Sequence, residues 1–322
     1  MDKDRDTRHR DRKLGRPVPR IPLLFFFISK LSGLHLFLGP ATCFVFLFYF
    51  VPVALTALMS LTAMGRTLDW EFIGTENYVR LFSGADPLVL GIVRNTIVYV
   101  AGALPTTIGV GLLISLLSMR MRRTAGLLFR AIFFIPRAIP PVVWGYLWAW
   151  SFEGTRYGVF NSILVGLGFS PIHWLTRYPM LIVVLANGFL GVSLAMLVFT
   201  SAIAAVPVDY TRAAEVDGAS FWQVCRYVII PLLKWPIATM TIWHLMSFIN
   251  SYVYVMLITG GGPYYATEVW SLYGYHAAFR DFQYGYGSSL VMILVAANAV
   301  LFFIAWKALG IRRLLAPTRV EV

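Results

Sequence analysis

Six stretches of this chain, at about 34–60, 90–118, 126–150, 178–205, 235–258 and 286–309, are each long and apolar enough to cross a lipid bilayer, which takes ~20 residues of helix. Nothing else in the sequence restricts the fold so tightly. Lipid offers a backbone N–H or C=O no partner, so each stretch is predicted to satisfy its own backbone as a helix. Composition agrees: the chain is 58% hydrophobic and 13% charged, with a mean hydropathy of +0.71, whereas a soluble domain is nearer half apolar and a quarter charged. The predicted fold class is an all-α integral membrane protein with six transmembrane helices. Pro40, Pro52, Pro105, Pro136, Pro140, Pro141 and Pro236 fall in or beside these stretches and are predicted to kink them.

The formal net charge of +12 does not read as a nucleic-acid footprint, because the basic residues sit in loops beside the spans. They fall mainly in alternate loops: with the tail and Lys30 go Arg120, Arg122, Arg123, Arg130, Arg212, Arg226, Lys234, Lys307, Arg312, Arg313 and Arg319. That bias predicts both termini in the cytoplasm and a multi-pass protein of the cell (inner or plasma) membrane. Residues 1–33 read as a basic cytoplasmic tail with a short interfacial segment, not a cleaved signal; 34–310 is the transmembrane domain and 311–322 a second cytoplasmic tail. Cys43 and Cys225 have no metal-ligand spacing and no reason to pair. No Asp or Glu lies inside a span, and only Arg137 and His244 are plausible candidates for an ionisable relay there. Ion-coupled carriers place relays at the midplane, so a secondary transporter is the alternative the sequence disfavours. No nucleophile–base pair, acid pair or metal cluster marks an enzyme, and no catalytic or metal residue is assigned. The glycine run Gly260-Gly261-Gly262 lacks the following Lys-Ser/Thr of a phosphate-binding loop.

One polar segment interrupts the apolar chain. Residues 206–231 lie between spans four and five, on the predicted cytoplasmic side. Pro207 suits the first position of a helix, and Asp209 suits its positive end. Gly218 is placed to end that helix in a left-handed conformation. Ser220 with Gln223 reads as a capping box opening a second helix. Arg212 stands three residues from Asp209 and from Glu215 and can pair with either. Ala213 and Ala214 leave the backbone nearly bare for another surface. Pro231 and Pro236 bracket the return into the membrane. The segment reads either as a docking handle or as a self-satisfied helix at the lipid interface.

The spacing Arg212-Ala213-Ala214, Glu215-Val216-Asp217, Gly218, then nine residues to Val228-Ile229-Ile230-Pro231 resembles the cytoplasmic coupling loop of ABC-importer permeases. Asp217-Gly218-Ala219-Ser220 is similar to the carbohydrate branch. The resemblance extends through Gly74 to Phe82, Asn95-Thr96, Phe129 to Pro136, Gly158 to Asn161, Trp174-Leu175, Thr259 to Pro263, Ala266-Thr267-Glu268, Tyr275 and Ala278-Phe279-Arg280. One departure stands out: Arg212 occupies the place of the family's Glu. The resemblance implies a permease subunit of the maltose- and glycerol-phosphate-type sugar importers. It implies a partnership with a second permease, an ATP-binding-cassette ATPase dimer and an extracytoplasmic substrate-binding protein. ATP would be bound by the partner subunits, so no cofactor is expected in this chain. The ATPase-docking residues carried over are Arg212, Ala213, Ala214, Glu215, Asp217 and Gly218.

For the substrate pathway, span five supplies Trp243, Ser247, Asn250, Tyr252 and Tyr254. Trp243, Ser247, Asn250 and Tyr254 follow helical spacing and are predicted to share one face. Such a stripe faces either a cavity or a neighbouring helix. Asn187 and Ser193 in span four are further candidates, and Arg137 either lines the pathway or reaches to the headgroups.

Overall fold

The computed structural model describes residues 38–308; the two predicted tails lie outside the described residues. Among the described residues the regular structure is helical, with one isolated β-bridge, Thr62–Phe72. By internal contacts the chain separates into one unit to Leu55 and one from Thr56 onward. Helix α1 runs Leu38–Met59 and contains a π-helical turn at Phe46–Phe50.

The helices that lie wholly in the second unit begin with α2 Glu76–Phe82, α3 Val89–Ser118, α4 Arg123–Ala138, α5 Pro141–Ser151, α6 Val159–Gly166, α7 Trp174–Arg177, α8 Pro179–Ala204 and α9 Val208–Val216. They continue as α10 Phe221–Leu232, α11 Lys234–Ile249, α12 Val253–Thr259, α13 Trp270–Tyr275 and α14 Tyr284–Ala308. Four helices, α1, α3, α8 and α14, are each long and apolar enough to cross a membrane, and α4–α5 and α10–α11 pass the same test only as bent pairs.

The bends are sharper than the predicted kinks and fall at definable residues. The α4–α5 pair turns by 101°. Helix α4 passes through Pro136 unbroken; the turn comes at Ile139 and Pro140, both extended (ψ 131° and 141°). Each precedes a proline, and the proline ring bars its neighbour from the α region. The α10–α11 pair turns by 70° at Leu233, where Pro236 cannot donate to the carbonyl four residues back. Span five is also interrupted farther on, since α11 stops at Ile249 and α12 begins at Val253. Pro105, by contrast, is carried inside α3.

The centre of the unit is the long interface of α3 and α8. Small residues let the backbones approach, as they do between membrane helices generally. A Cβ on Gly111 would stand 2.9 Å from the Ala195 Cβ and 3.1 Å from the Met196 nitrogen. Thr107 Oγ1 donates to Gly188 O at 2.8 Å and Ser115 Oγ to Met196 O at 3.0 Å. Gly111→Leu is therefore expected to cost ~1–3 kcal/mol of overpacking and to lower the melting temperature of the purified protein in detergent. Gly109→Leu, at a glycine with open space around it, is expected to leave that temperature unchanged.

Candidate functional site

The 207–231 segment folds as helix, turn and helix. Pro207 is the N-cap of α9 rather than its first residue, and Asp209 lies in the first turn. Gly218 takes φ +80°. Its N–H donates to Glu215 O at 3.0 Å, and that of Ala219 to Ala214 O at 2.9 Å, the paired bonds of a Schellman C-cap. The Ser220 N–H then donates to Gln223 Oε1 at 2.7 Å, closing the capping box of α10. Cys225–Ile229 winds as a π-helical turn.

This hook is seated on the ends of α3 and α8. Val224, Cys225, Ile229 and Leu233 share one apolar cluster with Leu116, Phe199 and Ile203, and Ala214, Ala219 and Phe221 pack against it. Helical periodicity thus divides α9 into two faces. Asp209, Arg212, Ala213 and Val216 are exposed, Val216 at 87%, whereas Ala214 is turned inward. That corrects the expectation that both alanines lie bare. Among the described residues Arg212 pairs with neither Asp209 nor Glu215; in water a pair of flexible side chains gains little from closing. Glu215 instead lines a cavity of about 430 Å³ with Thr211, Met119 and Arg120. Asp217 caps α9 at its exposed end.

The candidate pathway residues separate. Trp243, Ser247 and Asn250 are exposed along α11. Tyr254 belongs to the next helix, because the chain leaves the helical path at residues 250–252, so the predicted four-residue face ends at Asn250. Asn250 and Tyr252 meet instead at the wall of a cavity of about 440 Å³. The Asn250 side chain forms a reciprocal amide pair with Asn298 of α14, 3.0 Å in both directions. Asn298 is not among the predicted residues; its signal is an amide inside an otherwise apolar span. Asn187 is buried, donating to Tyr99 Oη and to Ser251 Oγ at 2.9 Å. It joins α3, α8 and the break after α11, a structural position rather than a surface one. Ser193 Oγ donates to Phe133 O at 2.8 Å, tying α8 to α4. Arg137 is exposed in the last turn of α4, at the α4–α5 bend, within electrostatic reach of His244 and Tyr254.

The loops at the other end of the spans are held by single polar side chains. Asn77 Nδ2 donates to Ser60 O at 3.0 Å and Thr62 O at 2.9 Å. Asn161, fully buried, ties 153–155 to 172–174 through five contacts. Asn95 Nδ2 donates to Tyr265 O and Glu268 O. Thr267 Oγ1 closes the glycine turn on Gly262 O at 2.8 Å. Glu268, 1% exposed, meets His276 Nδ1 at 2.8 Å; burial raises its carboxyl above the usual range, with His276 and Arg280 working against that. Burial alone would also raise Asp86, but hydrogen bonds from Tyr273, Tyr286 and the Leu88 N–H, with Arg80 nearby, hold it below the ordinary value. Among the described residues no group of three or more His, Cys, Asp or Glu gathers as a metal site would require.

Residues 107–314 match the family model described as binding-protein-dependent transport system inner membrane component. A probable ABC transporter permease protein of Pyrococcus horikoshii is 31% identical over 284 residues, covering 82% of this chain and 94% of that protein. The trehalose/maltose transport system permease protein of Thermococcus litoralis is 28% identical over 279 residues, covering 86% and 92%. Among solved structures, a chain of a bacterial ABC transporter involved in import of the acidic polysaccharide alginate superposes with a TM-score of 0.77 at 20% identity. The match covers 91% of this chain and 99% of that one.

Proposed function

Because this chain belongs to the binding-protein-dependent transport system inner membrane components, we propose that it is the sugar-importing permease subunit of an ATP-driven transporter. It forms the translocation pathway with a second permease, receives its solute from an extracytoplasmic binding protein, and is moved by an ATP-binding-cassette ATPase dimer. The reading places six spans in the cell membrane, both termini in the cytoplasm and residues 206–231 on the ATPase side. Sugar is favoured by relatives such as the trehalose/maltose permease.

The observation that carries the coupling role is the seating of α9 and α10. The exposed face of Asp209, Arg212, Ala213 and Val216 is free to be gripped, while the opposite face is packed into the α3–α8 core. Packed cores shift as units instead of deforming continuously. A push on α9 therefore passes to α3 and α8, and through the bend at Leu233 to α11, which carries Asn250 at its far end. ATP binds to the partner subunits, and the chain itself contributes docking, gating and solute contacts. The apolar helices among the described residues contain no Asp or Glu, so an ion-coupled cycle has no carboxylate relay there.

Purification of the tagged chain from its native membrane is expected to bring down a P-loop ATPase and a second permease, and uptake in proteoliposomes is expected to require ATP. A stable complex without a P-loop ATPase, or uptake that survives ATP depletion and collapses with an ion gradient, would overturn the reading.

A further inference from the structure

The two halves of the hook differ in charge. Its acids, Asp209, Glu215 and Asp217, all precede Gly218, and no Asp or Glu follows until Glu268. Between Gly218 and Asn250 the fixed charges are Arg226 on α10 and Lys234 at the start of α11. Both are exposed, and among the described residues neither has an acidic partner. Arg226 lies instead 5.8 Å from the centre of the Tyr227 ring. Around these cations stand large side chains that the protein leaves open: Trp222, Tyr227, Leu232 and Trp235 are each 45–69% exposed.

The open residues of α10 form one face. Its other face, Val224, Cys225 and Ile229, is buried with Leu233 in the apolar cluster on α3 and α8. The exposed pairs Trp222–Gln223, Arg226–Tyr227 and Pro231–Leu232 step by four residues and then by five. A regular α-helix repeats every 3.6 residues, so a step of five would carry the third pair off the stripe. The π-helical turn at Cys225–Ile229 takes up the extra residue, a distortion often found at functional sites. At Leu233 the chain then turns by 70° into α11. Membrane spans tilt by ~20° on average. With α11 crossing the bilayer, α10 therefore runs nearer the plane of the membrane than its normal.

A helix in that orientation, with cations and open Trp, Tyr and Leu on one face, has the makeup of helices that lie in the lipid headgroup layer. Trp and Tyr settle at that depth because their rings are amphipathic. Anionic headgroups attract Lys and Arg held near the surface, and a guanidinium fork matches a phosphate. We propose that α10 and the first turn of α11 bind the headgroups of anionic phospholipid. Arg226 and Lys234 each meet a phosphate, and Trp222, Tyr227 and Trp235 seat among the headgroups beside them. The inference rests on the cytoplasmic placement of residues 206–231 and goes beyond it. The ATPase grips α9, lipid holds α10, and the turn at Gly218 joins the two. Because α10 shares its packing with α3 and α8, headgroup charge sets how firmly the hook is held, and with it the rate of the ATP-driven cycle.

The test uses the complete complex, with both permeases and the ATPase, in vesicles of phosphatidylcholine alone and of phosphatidylcholine with one third phosphatidylglycerol. Lipid retained after extraction from the mixed vesicles, counted by native mass spectrometry, reads binding directly; ATP hydrolysis reads its consequence. Wild type is expected to retain phosphatidylglycerol and to change its hydrolysis rate at least threefold between the two vesicles, less so in high salt, which screens the headgroups. The double variant Arg226→Gln, Lys234→Gln is expected to lose at least half of the retained phosphatidylglycerol. Its rate is expected to match that of wild type in phosphatidylcholine and to change less than 1.5-fold in the mixture. Arg226→Lys with Lys234→Arg keeps both charges and is expected to keep both responses. Trp222→Ala is expected to halve retention, which decides the matter if the double variant does not assemble. Wild-type retention in the double variant and in Trp222→Ala would overturn the lipid site and leave the importer reading standing. Loss of the ATPase or of the second permease from the double variant in both vesicles would overturn it too, making this face a protein contact. A wild-type complex without an ATPase would remove the importer reading, while charge-dependent retention of phosphatidylglycerol would still uphold the lipid site.

Discussion

Gly218→Pro is expected to abolish ATPase retention and ATP-driven uptake while leaving the chain inserted in the membrane. Gly218 holds φ +80°, and proline is fixed near −65°. Proline also removes the N–H that donates to Glu215 O. Strain in the left-handed region is worth ~1–3 kcal/mol, and the lost hydrogen bond adds ~1 kcal/mol. The penalty falls on a turn that fixes the angle between α9 and α10, so the gripping face of Asp209, Arg212, Ala213 and Val216 would be reoriented against its seat. Insertion is expected to persist because α8 and α11 owe their stability to apolar sequence. Gly218→Ala, which keeps the N–H and only adds strain, is expected to lose part of the ATPase. Copurification and uptake measured on the same preparations check both variants, and wild-type values for Gly218→Pro would count against the coupling role of this loop.

Asn161→Ala is expected to be the most destabilising single truncation in the loops at the opposite end. The Asn161 amide shares its two N–H protons among Glu153 O, Thr155 O and Ile172 O, at 3.0, 3.1 and 2.9 Å. Its oxygen accepts from the Ile172 N–H at 3.0 Å and the Trp174 Nε1–H at 2.9 Å. Alanine leaves these partly buried groups unpaired, at ~1–3 kcal/mol for each one that water cannot reach. A total of about 3–5 kcal/mol corresponds to a melting temperature lower by ~10 °C, with early proteolysis of the segment 152–178. A melting temperature within about 2 °C of wild type would mean that these groups find other partners.

Several residues that stand out in the sequence as motifs turn out to be fasteners of this kind. Asn161 and Trp174 stand thirteen positions apart, and the first accepts from the second. Asn95-Thr96 and Ala266-Thr267-Glu268 lie far apart in the chain, yet Asn95 donates to Glu268 O, and the Trp270 N–H donates to Thr96 Oγ1. Their spacing is legible in the sequence; that they meet one another is not, because a side-chain amide carries no record of which distant carbonyl it will find. The same limit hides the pairing of Asn250 with Asn298 and that of the buried Asn187 with Tyr99 and Ser251. The stripe through Tyr254 fails for a local reason: extrapolating a 3.6-residue period assumes a continuous helix, and none continues past Ile249.

Local chemistry in the chain is enough to dictate some of these features. Apolar runs of span length demand helices, since lipid satisfies no open backbone. Gly218, Ser220 and Gln223 specify a helix end and a helix start, because a left-handed turn and a capping box are made within a few residues. Other features come only from the folded arrangement: how far the proline pairs bend the chain, which face of α9 is offered outward, and that Tyr252, Tyr275, Phe279 and Tyr284 enclose one cavity with Asn250. Those outcomes depend on which helices pack together. Packing is settled by the fit of surfaces brought together from distant parts of the chain, and the close approach of α3 to α8 at Gly111 is a property of the pair that neither helix carries alone.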